Sequence, residues 1–379
     1  MRPATTGELA EILGADSRPF ELVGAGSKRA IGRPVEAEPL ELSALAGVID
    51  YHPAELVLTA RAGTLLGDLE ALLGGHNQRL AFEPPSLAKL LHTRKATDTV
   101  SEADFAASEQ TIGGVLAANL SGSRRIAAGA ARDHLLGVTA VNGQGQVFRA
   151  GGKVVKNVTG YDLPKLLAGS WGTLAVMSEV TLKVMPKAED ETTLILPDRE
   201  TGDAVRHMSV ALGSAHEVSS AAYDPWRGTA LRLEGQPASI AAREAALLAE
   251  FGNPEVDRLE RDSSRSFWRA LAGAEALADW RVVWRISVPP AAAPRVVETI
   301  RPERWFADWG GGLIWAGFDN VDAALVRGAL DEGHATLIKA PADTRPCRIH
   351  PPTAVVAQLL ERVRDAFDPD RRLNPGRMD

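Results

Sequence analysis

Hydrophobic positions in the first half of the chain follow helical and strand periods in turn. Leu9, Ile12 and Leu13 recur at helical spacing behind Thr5, which is placed to cap the helix. A short apolar run at 20–23 predicts a strand that leads into a glycine-rich segment at 24–32. The other predicted elements of this half are strands at 55–60, 138–141 and 146–149, and a helix over 65–73 capped by Thr64.

The pattern changes after residue 186. Strand-like runs now alternate with helical ones, which is typical of an α+β unit with helices packed on one antiparallel sheet. The predicted strands are 192–196, 229–233, 282–288 and 312–315, and the predicted helices are 239–251 and 322–331. Seven of the eight tryptophans fall between Trp226 and Trp315, which also marks this region as a separate unit.

The C-terminal region forms a further element. Thr353 is expected to cap a helix that ends before Pro369, and the chain closes with a turn-forming segment at 373–378. The apolar stripe of this helix consists of Val355, Val356, Leu359, Leu360, Val363 and Phe367. By contrast, the polar residues of 86–110 show no sustained period and predict an exposed loop, whose role the sequence leaves open.

Length and composition narrow the class of protein. The 379 residues exceed one ordinary core and predict two domains, while 42 basic against 49 acidic residues give a net charge of −7, which disfavours nucleic acid. No apolar run approaches the roughly 20 residues of a membrane span, and the N-terminus lacks a signal-peptide pattern. A cytoplasmic protein is expected. The single cysteine, Cys347, excludes an intrachain disulfide and an iron–sulfur cluster held by this chain alone.

The glycine-rich segment suits a phosphate ligand without matching the Rossmann fingerprint. Gly24 and Gly26 follow a strand, but the third glycine of that fingerprint would fall at Arg29. Successive backbone N–H groups in such a loop can still form a nest for a pyrophosphate. Taken alone, the segment is equally consistent with an ordinary glycine-rich turn.

Further segments accompany this loop in a fixed order. They are 82–85, 111–122, 129–137 and 152–183, the last with small residues at Gly160, Gly169, Ser170, Gly172 and Thr173. Together they resemble the PCMH-type FAD-binding family, also known as the vanillyl-alcohol oxidase family. The resemblance implies a two-lobed α+β FAD-binding domain over 1–188, an inserted α+β cap domain over 189–340, and a C-terminal segment, 341–379, packed back on the FAD domain.

The resemblance also implies which residues hold the cofactor. The glycine loop and the Thr111 turn would contact the pyrophosphate, and the other segments would contact the flavin ring and adenine. The residues implied are Gly24, Ala25, Gly26, Ser27, Lys28, Pro84, Thr111, Gly113, Gly114, Asn119, Gly122, Val176 and Asn374. Asn374 is equally consistent with a turn former before Pro375. Many family members attach FAD through a histidine in the first loop, but residues 27–32 contain no His, Cys or Tyr. Noncovalent FAD is expected.

Within this fold, the chain most resembles the family of FAD-binding E subunits of bacterial glycolate oxidase. The matching segments are 26–34, 51–61, 82–85, 231–235, 283–287, 308–311, 333–336 and 374–378. Several of them lie in the expected cap, where the wider family diverges. The resemblance implies oxidation of glycolate to glyoxylate, with a catalytic flavoprotein subunit and an iron–sulfur subunit as partners and with membrane association through the complex left open.

The residues that would act on substrate are less evident. Arg281 and Arg285 lie four apart on a predicted strand, so both would point to one face and could clamp a carboxylate. Two solvated charges on a sheet face are the more common arrangement. His334 joins the two arginines as a candidate substrate residue. Neither His334 nor His350 belongs to a cluster at metal-ligand spacing, so no metal site and no catalytic base is predicted.

Two functional hypotheses therefore stay open. In the first, the chain oxidises the hydroxy acid itself. In the second, it holds FAD as a structural or electron-relay subunit while a sister flavoprotein performs the oxidation. A cell-wall precursor reductase of the same fold is a third, more distant alternative, because its additional substrate motifs are absent.

Overall fold

The computed structural model describes residues 1–91, 110–153, 160–341 and 349–378. Cys347, residues 92–109 of the predicted loop and residues 154–159 of the predicted flavin segment lie outside the described residues. The chain forms a first lobe built on a five-stranded sheet and a second lobe, called the cap here, built on an eight-stranded sheet. The predicted α+β architecture is confirmed.

The first lobe begins with a parallel pair, β1 (Phe20–Val23) and β2 (Glu38–Glu41). Its five-stranded sheet is antiparallel throughout. In spatial order, the strands are β3 (Val48–His52), β4 (Val57–Arg61), β8 (Ala175–Lys183), β6 (Leu135–Asn142) and β7 (Val147–Gly151). A short antiparallel pair, β5 (Gln78–Arg79) and β9 (Met185–Pro186), completes the strands of this lobe. The helices are Thr6–Ala15, Leu66–Gly74, Ala88–Leu91, Ile112–Ala118, Arg125–Ala128, Ala131–His134 and Leu163–Leu167.

The cap sheet is also antiparallel in every pair. Its spatial order is β13 (Asp257–Glu260), β10 (Asp190–Leu196), β12 (Gly228–Gly235), β11 (Ser220–Asp224), β15 (Arg304–Asp308), β16 (Leu313–Phe318), β14 (Val282–Ser287) and β17 (His334–Lys339). The cap helices are Thr201–Gly213, Pro237–Glu250, Arg261–Ala272, Ala293–Ile300 and Ala323–Gly328.

The two faces of the cap sheet are buried by different partners. Four of the cap helices supply side chains to one apolar core on the first face. The remaining helix, Arg261–Ala272, places Trp268 against Ile195, Ala222 and Ala230, whose side chains belong to a separate cluster. The first lobe covers the rest of this second face, where Ile31 and Leu90 join Trp309 and Trp315 in a shared cluster. The cap therefore has an extensive apolar contact with the first lobe.

The C-terminal segment packs on the first lobe. Leu373 is fully buried and forms a parallel bridge with Phe20 at the start of β1. Helix Ala354–Phe367 contacts the sheet at one end, where the Phe367 ring meets Phe148 at a centroid distance of 5.7 Å. The predicted domain boundaries near 188 and 340 stay predictions.

Local details differ from the sequence-based expectations in three places. Thr64 does not cap the following helix, since its hydroxyl donates to the backbone oxygens of Gly47 and Arg61. The Thr353 side chain forms no capping hydrogen bond. Most of the C-terminal apolar stripe is exposed, including Val355 and Leu359. No helix among the described residues is long and apolar enough to cross a membrane.

Candidate functional site

A cleft opens in the first lobe between the end of β1, the start of helix Ile112–Ala118, and β8. Ten of the sequence-predicted cofactor residues line it. These are Gly24, Ala25, Gly26, Ser27, Lys28, Thr111, Gly113, Gly114, Val176 and Asn374. The fold thus brings together residues that are separated by as many as 350 positions in the sequence.

The glycine loop lines the cleft with unbonded backbone. None of the five amides from Gly24 to Lys28 donates a hydrogen bond to any described residue. Gly26 has φ +83°, a left-handed conformation that glycine adopts without strain. A run of successive free N–H groups of this kind forms a concave anion-binding nest. The loop can therefore receive the oxygens of a phosphate or pyrophosphate.

The first three amides of helix Ile112–Ala118, opposite the loop, already donate hydrogen bonds within the protein. Ile112 N–H donates to the Thr64 oxygen at 3.0 Å, and Gly113 N–H donates to the Ala62 oxygen at 2.7 Å. The third amide, Gly114 N–H, donates to Thr111 Oγ1 at 3.3 Å. Because these donors are already bonded, the free donors of the cleft lie mainly in the glycine loop.

Lys28 supplies the cleft with a positive charge. Its ammonium donates to Gln110 Oε1 at 2.5 Å and to Ser27 Oγ at 3.3 Å. Burial lowers the pKa of Lys28 to about 8, since desolvation disfavours the charged form. A phosphate anion placed beside this ammonium would restore the stability of the charged form.

Two residues of the C-terminal segment hold the glycine loop in place. Asn374 accepts a hydrogen bond from Leu22 N–H at 2.8 Å and donates to the Trp171 oxygen at 2.7 Å. Arg377 donates to the Arg29 and Ile31 oxygens, both at 2.9 Å, just beyond the loop. Asn374 therefore lines the cleft while its side chain bonds to protein backbone, which agrees with a positioning role.

Three predicted cofactor residues lie outside the cleft. Asn119 ends helix Ile112–Ala118 in a left-handed conformation and accepts a hydrogen bond from Arg132 N–H at 3.0 Å. The Gly122 oxygen accepts a hydrogen bond from the Trp309 indole of the cap at 3.0 Å. Pro84 is half-buried beside Glu83, whose carboxylate pairs with arginines at the lobe boundary. Gly122 and Pro84 thus lie near the cap contact.

The arginine pair expected to form a carboxylate clamp is not brought together. Arg281 precedes β14 and is exposed, whereas Arg285 lies within β14 at the lobe boundary. Burial, followed by the positive charge of Arg125, lowers the pKa of Arg285 to about 10. His334 starts β17 beside this arginine, and its pKa is lowered by partial desolvation, Arg285, His350 and Arg125. The fold therefore brings His350 near His334, although they are 16 positions apart.

Asp308 is a buried carboxyl at the same boundary. Its Oδ2 accepts a hydrogen bond from Ser123 at 2.7 Å, and its Oδ1 accepts one from Trp309 N–H at 2.7 Å. Burial raises the pKa of Asp308 to about 7, despite these two hydrogen bonds and the charge of Arg285. Sequence reasoning noticed this segment only as part of a family resemblance, because nothing local shows that Asp308 meets Ser123.

Sequence reasoning missed several residues of the site. Arg377 lines the cleft and fixes its loop, and Trp171 closes one side of it. Arg125 lies with its guanidinium over Trp309 at the lobe boundary. No group of three or more His, Cys, Asp or Glu residues within the described ranges is placed to hold a metal ion.

Comparisons with known proteins agree with this arrangement. Residues 1–151 match the model of the FAD binding domain family. Over 369 residues the chain is 31% identical to glycolate oxidase subunit GlcE of Escherichia coli (strain K12), covering 96% of this chain and 93% of that protein. Over 85 residues it is 42% identical to glycolate oxidase subunit GlcD of Bacillus subtilis (strain 168), covering 22% of this chain and 18% of that protein.

A solved structure shares the whole architecture. An alkyldihydroxyacetonephosphate synthase matches with a TM-score of 0.67 and 14% sequence identity, covering 99% of this chain and 76% of that one. At this identity the likeness concerns the fold alone. The match extends through both lobes, so a first lobe combined with a cap also occurs in that solved structure.

Proposed function

The chain belongs to the family of glycolate oxidase subunit GlcE, and from this membership we propose that it is an FAD-dependent oxidoreductase subunit of a glycolate-oxidising complex. In that role it would bind FAD in the cleft of the first lobe and take part in oxidising a small 2-hydroxy acid. The observation that carries the proposal is the run of five amides from Gly24 to Lys28 on the wall of that cleft, none of which donates to a described residue.

The described residues fit the cofactor. The free amides and the Lys28 ammonium match a pyrophosphate, while Ala117, Ala118 and Val176 offer an apolar wall for a planar ring. Bound FAD would supply acceptance of two electrons from the substrate carbon. The chain's own residues would orient the cofactor and keep water from the apolar end of the cleft. Pro84 and Gly122 would then act by shaping the lobe boundary, and Asn119 by ending the helix that lines the cleft.

We propose further that FAD is held noncovalently and that electrons leave to an iron–sulfur partner. The loop at 27–32 carries no His, Cys or Tyr that could attach a flavin. One cysteine cannot hold a cluster, so a relay of that kind would belong to a separate subunit. A catalytic flavoprotein subunit and an iron–sulfur subunit are the proposed partners. The cytoplasm is the proposed location, with any membrane contact made through the partners.

The alternative is that the chain holds FAD as a structural or relay subunit. It is favoured by the absence of a metal-binding cluster among the described residues. His334 and Asp308 are titratable groups at the lobe boundary, and Arg285 influences the pKa of each. Glycolate turnover by the isolated chain with an artificial electron acceptor would favour direct catalysis, whereas turnover only in the assembled complex would favour the relay.

The proposal is tested on the purified chain. We expect it to be yellow with about one FAD per chain, and we expect acid precipitation to release the colour into the supernatant. Colour that stays with the pellet would contradict noncovalent binding alone. A chain that purifies without flavin and does not take up added FAD would contradict the proposed function itself.

A further inference from the structure

Two arginines from different lobes meet the same tryptophan at the lobe boundary. Arg125 comes from the first lobe, and its guanidinium carbon lies 4.2 Å from the Trp309 ring centroid. Arg285 comes from β14 of the cap and lies 4.9 Å from the same ring and 5.9 Å from the Trp315 ring. Arg125 and Arg285, which are more than 150 positions apart in the sequence, thus both place a positive charge against the Trp309 ring.

Neither guanidinium is paired with a carboxylate in the described part of the chain. Among the described residues, the Arg125 and Arg285 side chains form no ion pair and no hydrogen bond. The nearest influences of opposite sign are Asp133 on Arg125 and Asp308 on Arg285, and neither makes contact. Asp308 is already engaged by Ser123 and by Trp309 N–H.

Both arginines are half-buried, and their desolvation makes this arrangement costly. Desolvation is the largest influence on both groups and lowers the pKa of each. Buried arginines are almost always paired, because an unpaired charge in a low-dielectric environment loses its hydration without compensation. Two other arginines at the lobe boundary follow this rule, since Arg124 and Arg232 are bonded to glutamates. Arg125 and Arg285 are the exceptions among these four.

The Trp309 ring that both guanidinium groups contact is held in place from two sides. The Trp309 indole donates to the Gly122 oxygen at 3.0 Å, which ties the ring to the first lobe. Its backbone has φ +55°, and Gly310 and Gly311 follow at +67° and +99°. A non-glycine residue in this region stores strain, and such strain is concentrated at binding sites. The turn thus fixes Trp309 at a backbone cost that an ordinary core tryptophan does not require.

From this geometry we infer that Arg125 and Arg285 form a binding site for the carboxylate of a small monocarboxylic acid at the lobe boundary. An anion would neutralise two unpaired charges, and guanidinium groups match carboxylates through paired N–H donors. His334 stands beside Arg285 at the exposed end of β17, where a ligand can enter.

The site adjoins the flavin cleft. Ala118 and Trp171 line that cleft and also pack against the cluster that contains Trp309 and Trp315. The inference therefore rests on the proposed function for its choice of ligand, namely a 2-hydroxy acid such as glycolate. The residues of the site belong to the chain itself, so carboxylate binding can be measured whether or not flavin is present.

The experiment is a calorimetric titration of the purified full chain with glycolate, and with ethylene glycol as the uncharged analogue. We expect glycolate to bind and ethylene glycol not to bind. Arg125→Met and Arg285→Met should each weaken glycolate binding by about tenfold or more, as expected for a lost charge-assisted contact. Arg285→Lys should recover part of the loss, since it keeps the charge.

Arg227→Met is the matched control. Arg227 is an exposed cap arginine that also lies over an aromatic ring, with its guanidinium carbon 5.9 Å from the Phe267 centroid. The Arg227→Met variant should bind glycolate with the same affinity as the wild type. FAD content and melting temperature should be unchanged in folded Arg125 and Arg285 variants, which separates loss of the site from loss of the fold.

Other results would overturn the inference. Wild-type protein with normal flavin content that does not bind glycolate would contradict the carboxylate site alone. Equal affinities of the wild type, Arg125→Met and Arg285→Met would do the same. Glycolate binding that depends on both arginines in a chain unable to hold FAD would instead contradict the proposed function and leave the site intact.

Discussion

Gly113 and Gly114 are neighbours in the sequence with different surroundings. A Cβ atom built on Gly113 would lie 2.8 Å from both the Cβ and the carbonyl oxygen of Ala62, inside the protein. A Cβ atom on Gly114 would meet only Thr111 Oγ1, at 3.2 Å, among neighbours closer than 4 Å. Both glycines line the cleft. Packing against the rest of the protein requires a glycine at position 113 but not at position 114.

This difference predicts different outcomes for the same substitution. We expect Gly114→Val to fold, with circular dichroism and melting temperature near wild type, but to bind FAD at least tenfold more weakly because the side chain projects into the cleft. We expect Gly113→Val to be destabilised by about 1–3 kcal/mol through overpacking against Ala62. Unchanged flavin content in Gly114→Val would show that this turn does not approach the cofactor.

Lys28 makes cofactor affinity dependent on pH. The pKa of Lys28 in the chain alone is lowered to about 8 by burial, with no contribution from a charged side chain of a described residue. A bound pyrophosphate would raise the pKa again, because an opposite charge favours the ammonium form. Between pH 8 and the higher pKa of the complex, the FAD-bound protein therefore holds more protons than the free protein.

This difference in bound protons determines how FAD affinity changes with pH. FAD affinity should be constant below pH 8 and should fall as the pH rises above 8, by at most tenfold for each pH unit. Fluorescence titration with FAD between pH 6 and 10 measures this. Lys28→Met should bind FAD more weakly at pH 7 and should lose the decline above pH 8. A decline that persists in Lys28→Met would assign it to another group.

At the scale of elements, the glycine loop depends on the end of the chain. Asn374 and Arg377 bond to backbone on either side of the loop, and Arg377 also forms an ion pair with Glu21 of β1. Gly172 has φ +72°, and a Cβ there would lie 2.9 Å from Asn374 Nδ2. Three distant segments therefore meet at one point of the cleft, and each constrains the others.

Local sequence patterns predicted many of the helices and strands. Features that depend on contacts between distant segments could not be predicted in this way. The loop at 24–28 was located because a strand followed by glycines has a local signature. Strands such as β11 and β15 were missed, since short strands in the middle of a sheet resemble other apolar runs. Arg377 was noticed only within the family-like segment 374–378, and Arg125 gave no signal, because their roles arise only when segments far apart in the sequence meet.

At the scale of the whole molecule, a network of buried charges joins the two lobes. Arg232 of the cap bonds to Glu191 within the cap and to Glu83 of the first lobe. Arg124 of the first lobe bonds to Glu83 and to Glu234 of the cap. Burial alone would lower the pKa of Arg232, but Glu83, Glu234 and Glu191 together raise it. Each of these five side chains therefore has at least one partner of opposite charge.

The network contributes to holding the two lobes together. Its member residues could not be predicted from the sequence pattern. The matching segments at 82–85 and 231–235 were noticed only as family resemblances, and both supply charges to this one cluster. Sequence periodicity reports which face of an element is apolar. It does not report that a buried arginine on one sheet will meet a glutamate from another lobe.

Removing Arg232 tests whether the lobes depend on this network. Breaking a buried pair is strongly destabilising, and without Arg232 the carboxylate of Glu83 keeps only Arg124, and that of Glu191 only Arg124 and Arg265, as charged partners among the described residues. We therefore expect Arg232→Met to lose about 3–5 kcal/mol of unfolding free energy at pH 7. Arg258→Met is the control, because its ion pair with Glu244 is partly exposed, and it should cost less than about 1 kcal/mol. Urea unfolding followed by circular dichroism measures both. Equal midpoints for the two variants would mean that the apolar contact between Ile31, Leu90 and the cap tryptophans holds the lobes together without help from the charges.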